Sequence, residues 1–276
     1  MYINTARQFI EKFSEKRVST VVGAWVFYFL TAVIPLAFLL VTMFGVFGVE
    51  LTEDVVSRLP VEFRSAGTAI VSTARRASKG ATLLFVLTAV FSCSRLLNQM
   101  SKDGDYLYGK KSLGKRGLLR RLWAILALGA LFAVFLIASI IIALGGSFFV
   151  FNYTMGGVKH LFATVCACLT VIIFSFVIII MLNKFICPIK LKFKQIAIGA
   201  MVSLAEIVLG TIGFALYLRF FNSYNAFYGS LAGIIVFLLW AYILMFGLVS
   251  GVVVNSVLNK KVLYSKGVFE NNKASE

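Results

Sequence analysis

The sequence predicts an all-α polytopic membrane protein: six transmembrane helices, short interfacial helices and both termini in the cytoplasm. Three observations predict it. Of 276 residues, 60% are hydrophobic and only 14% are charged, where a soluble domain carries about a quarter charged residues. Uncharged runs long enough for a bilayer recur, since about 20 apolar helical residues cross a hydrocarbon core of about 30 Å. The basic residues fall unevenly between the two sides that those runs define.

The first run, Val18 to Val49, is longer than a span requires, and Pro35 stands near its middle in "YFLTAVIPLAFLL". A proline there removes one backbone hydrogen bond and crowds the preceding turn, so a kink or a helix break is expected. Gly80 to Ser94 is the second run. It is short, and spans if Arg95 reaches the interface or if the helix extends to about Leu97. The third is Leu122 to Phe149 and the fourth Leu161 to Leu182. The fifth is Ile196 to Leu218, interrupted only by Glu206, and the sixth is Ser230 to Leu258. The membrane domain is therefore placed at 18–258, between an arm at 1–17 and a basic tail at 259–276.

The arm shows no short apolar core with a small-residue cleavage site. Tyr2, Ala6, Phe9, Ile10 and Phe13 share helical spacing, which predicts a basic amphipathic helix on an anionic membrane surface. The external loop from Leu51 to Lys79 mixes charged and apolar residues at helical intervals. It predicts one or two interfacial helices broken at Pro60.

The net charge is +16. Lys and Arg number four in the arm, eight from Arg95 to Arg121, four from Lys184 to Lys194 and four after Leu258. That is twenty on one side against seven on the other, the asymmetry that marks a cytoplasmic face. Topology and anionic headgroups account for the charge, so no nucleic acid is expected as a partner. Lys110, Lys111, Arg120 and Arg121 in the most basic loop are candidate headgroup contacts. A homo-oligomer or a partner membrane protein stays open.

The fifth run holds the candidate site. Steps of four and three from Gly199 give Gly199, Ser203, Glu206, Gly210, Gly213 and Tyr217 on one helix face. Small residues let a second backbone approach, so this face is expected to turn into the bundle with Glu206 near mid-membrane. An ionisable residue at that depth is a functional candidate. It could exchange a proton, hold a cation or contact a cationic part of a substrate. It could also be a protonated group bonded to a neighbouring helix. On the last run, Gly247 and Gly251 form a second small-residue surface.

Enzymatic chemistry is not expected. His160 is the single histidine, too few for a histidine-rich metal site. Asp103 and Asp105 in "SKDGDYLYG" read as solvated turn residues. Neither a nucleophile elbow nor a phosphate-binding loop is present, and neither metal nor cofactor is expected. Cys93, Cys166, Cys168 and Cys187 form no C-x-x-C pair and read as small packing residues.

Three stretches carry a family resemblance. They are "YFLTAVIPLAFLL" with Tyr28, "FSCSRLLNQMSKDGDYLYG" with Asn98, and "FYGSLAGIIVFLLWAYILMFGLVSGVVVN". The third contains Tyr228, Gly229, Ser230, Trp240, Gly251 and Asn255. Together they resemble, in order and spacing, the YihY/BrkB family of inner-membrane proteins, of the UPF0761 type and once mislabelled ribonuclease BN. Ala32 stands where that family often has serine, and Val253 where it usually has glutamate. The resemblance implies a six-helix protein of the bacterial plasma (inner) membrane, from a family generally described as transporters or exporters. The functional expectation is export or transport of a lipid-like or anionic amphipathic solute, coupled to an ion gradient or an external partner. The alternative is a membrane scaffold that binds partner proteins or organises lipid.

Overall fold

The computed structural model describes residues 14, 18–46, 61–76, 79–109, 127, 157–189, 191–220 and 232–265. Seven helices lie among them: α1 (Val18–Val46), α2 (Val61–Arg76), α3 (Lys79–Leu107), α4 (Gly157–Ile186), α5 (Phe193–Phe220), α6 (Ala232–Leu258) and α7 (Lys260–Ser265). No strand occurs among the described residues. Five helices, α1 and α3 to α6, are long and apolar enough to cross a membrane. At about 1.5 Å per residue, a helix of 27 to 30 residues exceeds the hydrocarbon thickness with turns to spare. The expected third span, the N-terminal arm and most of the tail lie outside the described residues.

The boundaries follow from local chemistry. Helix α1 runs through Pro35 without interruption, so the expected break does not occur. Proline removes a single bond from the ladder. Unwinding further would free more backbone groups with no water to receive them. Threonine hydroxyls are satisfied in the same local way, as when Thr31 donates to the Tyr28 carbonyl (2.8 Å) and Thr42 to that of Phe38 (2.8 Å).

Helix α3 continues well past Ser94. Arg95 does not end it, because its guanidinium lies over the Phe91 ring at 4.2 Å, one turn toward the N-terminus, where helical side chains lean. The helix stops at Leu107. Tyr108 N–H donates to the Gly104 carbonyl at 2.9 Å, and Gly109 takes a φ of 74°, the left-handed cap that glycine adopts without strain. The segment "SKDGDYLYG" is thus the end of a helix and not a solvated turn. Asp105 is buried and Asp103 half-buried.

The chain divides into two units. One comprises Met1–Lys16, Ser101–Ala205 and Ser250–Glu276, the other Arg17–Met100 and Glu206–Val249. In the second unit, Val22, Trp25, Ala32, Ala89, Val236, Ala241 and Val249 are buried. Phe29 stacks on Phe237 at 6.2 Å and Phe38 on Phe85 at 4.6 Å. Helix α2 packs against α1, and it begins directly after Pro60, where the sequence predicted an interfacial helix.

Candidate functional site

The first unit reverses the soluble pattern. Asn183, Ser203, Ser250, Asn255 and Ser256 are each 1% exposed or less, while Leu169, Ile173, Ile198 and Met201 are 51 to 60% exposed. Polar atoms inside and aliphatic ones outside suit a solvent of acyl chains.

The buried polar groups form a node. Asn255 accepts from the Gly199 N–H (2.9 Å) through Oδ1, and its Nδ2 donates to Asn183 Oδ1 (3.1 Å) and to the Ile196 carbonyl (3.1 Å). Only this orientation of the amide pairs each donor with an acceptor. Asn183 Nδ2 in turn donates to the Ile179 carbonyl at 3.0 Å. One turn further, just past the end of α6, Asn259 Nδ2 donates to the carbonyls of Gln195 (3.0 Å) and Asn255 (2.9 Å). Helix α6 therefore reads the backbone of the first two turns of α5 and ties it to α4.

Local sequence sets this up. Lys192 precedes α5, and its N–H donates to Gln195 Oε1 at 2.8 Å, half of a capping box that fixes where the helix begins. Gly199 and Gly251 let the two backbones approach. A Cβ on Gly199 would collide with the Asn255 side chain and the Gly251 carbonyl. One on Gly251 would collide with Ser203 Oγ and the Gly199 carbonyl. Ser203 Oγ is buried without a hydrogen-bond partner among the described residues. Gly104 of α3 meets Ile186 of α4 just as closely. The Tyr108 hydroxyl lies beside the Cys187 thiol. Burial first, and then this neighbour, push it well above the ordinary tyrosine range.

The predicted face of α5 is thus not uniform. Gly199 and Ser203 belong to the first unit and are buried against α6. Glu206, Gly210, Gly213 and Tyr217 belong to the second. Glu206 is half-buried, and a Cβ on Gly210 would meet Cγ2 of Ile243 at 2.5 Å. Gly213 and Tyr217 are exposed, and nothing among the described residues lies within 4 Å of a Cβ built on Gly213. Among the described residues, no neighbouring helix reaches Gly213. Small residues permit a close neighbour but do not supply one.

The family-motif positions scatter. Gly251 and Asn255 sit in the node. Tyr28 and Trp240 are half-buried, with Trp240 against Phe237 at 6.0 Å. Asn98 is half-buried with its Oδ1 lacking a partner among the described residues. Tyr228, Gly229, Ser230, Lys110, Lys111, Arg120 and Arg121 lie outside the described residues. Ala32 and Val253, where the family often differs, are both buried. Among the described residues, no three of His, Cys, Asp and Glu gather as a metal site would need, and Cys93 and Cys187 are buried and form no disulfide with each other.

Sequence reasoning missed Asn183, Gln195 and Asn259. A signal for Asn259 existed: Asn255 and Asn259 stand four apart in "NSVLN", a helical spacing at the end of a long apolar run.

The family model described as Virulence factor BrkB matches residues 9–275. The chain belongs to the BrkB family. A UPF0761 membrane protein of Mannheimia succiniciproducens is 24% identical over 267 residues, covering 93% of this chain and 90% of its own. YfkH of Bacillus subtilis, whose name calls it ribonuclease-like, is 24% identical over 249 residues, covering 85% and 88%. A UPF0761 membrane protein of Chromobacterium violaceum is 26% identical over 274 residues, covering 94% of this chain and 62% of its own. No solved structure matches. Membership of the BrkB family and the five apolar helices make this a multi-pass membrane protein.

Proposed function

We propose that this BrkB-family protein is a plasma-membrane transporter or exporter of a lipid-like or anionic amphipathic solute, with six spans and both termini cytoplasmic. One observation carries the reading. Glu206 is the only charged residue of α5 between Gln195 and Leu218, and it is half-buried in a helix whose neighbouring turns are aliphatic. A carboxylate in such a segment is costly to keep unless it works. It serves here as the protonatable group that couples solute movement to an ion gradient. The basic loop with Lys110, Lys111, Arg120 and Arg121 gathers anionic headgroups on the cytoplasmic side.

The reading contains no catalytic step. The ribonuclease-like name of the Bacillus relative is not carried over, because RNA hydrolysis needs converging acids, bases or metal ligands. This chain has one histidine and eleven carboxylate side chains.

The test is transbilayer movement of a fluorescent phosphatidylglycerol in proteoliposomes across a pH gradient. The wild type is expected to move the probe faster than empty liposomes, with the rate following the gradient. Glu206→Gln is expected to abolish the gradient dependence. A wild type no faster than empty liposomes overturns transport of this class and leaves a scaffold role. Equal rates for wild type and Glu206→Gln remove the carboxylate from the mechanism.

A further inference from the structure

The described carboxylates of the first unit are Asp103 and Asp105, and neither is exposed. Among the described residues, its exposed charges at the junction of four helices are all positive. The close contact of Gly104 with Ile186 brings the end of α3 to the end of α4. Asn255 joins the end of α6 to Asn183 of α4, and Asn259 joins it to Gln195 at the start of α5. Lys102, Lys184, Lys192, Lys194 and Lys260 each lie within five residues of one of these junctions, and all five are exposed. No ion pair of theirs occurs among the described residues. Phe193, 65% exposed, stands between two of them.

We infer that this end of the first unit is a docking surface for the headgroups of anionic phospholipids. Charge bias alone would require lysines on that side but not on a rigid frame. Here the asparagine node and the α5 cap fix the backbones that carry them. Among the described residues, the exposed ammonium groups at these helix ends have no exposed carboxylate beside them. An exposed phenylalanine among them suits the headgroup–acyl boundary. Free phosphate offers the same anion but no acyl chain for Phe193 and the oily faces below it. The partner is therefore the lipid. The surface does not depend on the transport reading, since a scaffold would carry it equally well.

The test uses the full chain purified in a neutral detergent and native mass spectrometry with phosphatidylglycerol and phosphatidylcholine of identical acyl chains. The wild type is expected to retain phosphatidylglycerol preferentially, with the preference falling as salt rises. Each Lys→Gln change among Lys184, Lys192 and Lys194 is expected to weaken it about fivefold, and the triple change on the order of a hundredfold. Lys→Arg at the same three positions is expected to keep it. Circular dichroism checks that each variant is folded, and the salt titration of the wild type provides a reading that needs no variant. Equal retention of the two lipids overturns the inference, as does an unchanged preference in a folded triple Gln variant. Displacement of phosphatidylglycerol by millimolar inorganic phosphate assigns the surface to free anions and overturns it too.

Discussion

The two units hold their helices by different means. In the first, a buried amide on α6 addresses three polar groups on two other helices, and two glycines bring the backbones together. In the second, rings and aliphatic side chains fill the interior, with stacked pairs such as Phe38 and Phe85. Lipid tails are as apolar as leucine, so greasy contact between helices has little advantage over contact with lipid. A packing of phenylalanines tolerates adjustment. A donor that must meet one acceptor does not. The first unit is therefore the part in which small substitutions should cost most, and the second the part that can host a half-buried carboxylate beside loosely specified neighbours.

The largest expected effect lies at the glycine crossing of the first unit. Gly199→Ala or Gly251→Ala places a methyl group into a backbone carbonyl of the facing helix, and neither helix can yield without breaking the Asn255 bonds. Each change should lower stability by about 3 kcal/mol, the upper range of overpacking, read from unfolding in mixed detergent micelles. A loss below 1 kcal/mol would show that the crossing is loose. Next comes Asn255→Ala, which leaves the Gly199 N–H, the Ile196 carbonyl and Asn183 Oδ1 short of a partner. Interhelical bonds in membranes average about 0.6 kcal/mol each, so a loss of about 2 kcal/mol is expected in the same assay. A neutral outcome would mean that the unfolded state in detergent finds equivalent partners.

How much of this was written in the sequence differs by element. Apolar runs locate α4, α5 and α6 to within a few residues, because in lipid a helix must satisfy its own backbone and length follows from bilayer thickness. The reach of α3 was less legible. Its last turns carry Lys102, Asp103 and Asp105, and an apolar count stops where charge begins. What keeps the helix going is Gly104 against Ile186 and the cap at Gly109, contacts made with a segment about eighty residues away or set by a single φ. Of the kink or break expected at Pro35, the break is the expectation for water, where freed backbone groups find partners, and α1 continues through the proline instead. Asn255 was visible only through its family motif. Its chemistry was hidden, since the acceptors it uses are backbone atoms of α5, and backbone atoms leave no mark in a sequence. The small-residue face of α5 was visible in full, but not where its neighbour ends.

That last point gives the sharpest and smallest prediction. Gly210 and Gly213 share a face and a helix with Gly199, yet their surroundings differ. A methyl group at Gly210 meets one Cγ2 atom of Ile243, while one at Gly213 meets nothing among the described residues. That methyl sits on the β-carbon of a residue held to one χ1 rotamer in a helix, but it is side chain and not backbone, so Gly210→Ala should cost about 1 to 2 kcal/mol. Gly213→Ala should be neutral or stabilising by about 0.5 to 1 kcal/mol, because alanine outranks glycine in a helix and no contact opposes the gain. The series Gly199, Gly210, Gly213 to alanine should therefore run from strongly destabilising to favourable along one stripe of one helix. A flat series would mean that small size alone, and not the proximity of α6, governs the face. A large loss at Gly213 would mean that a partner absent from the described residues, such as a second copy of the chain, covers it. Cross-linking of a cysteine placed at Gly213 would then reveal it.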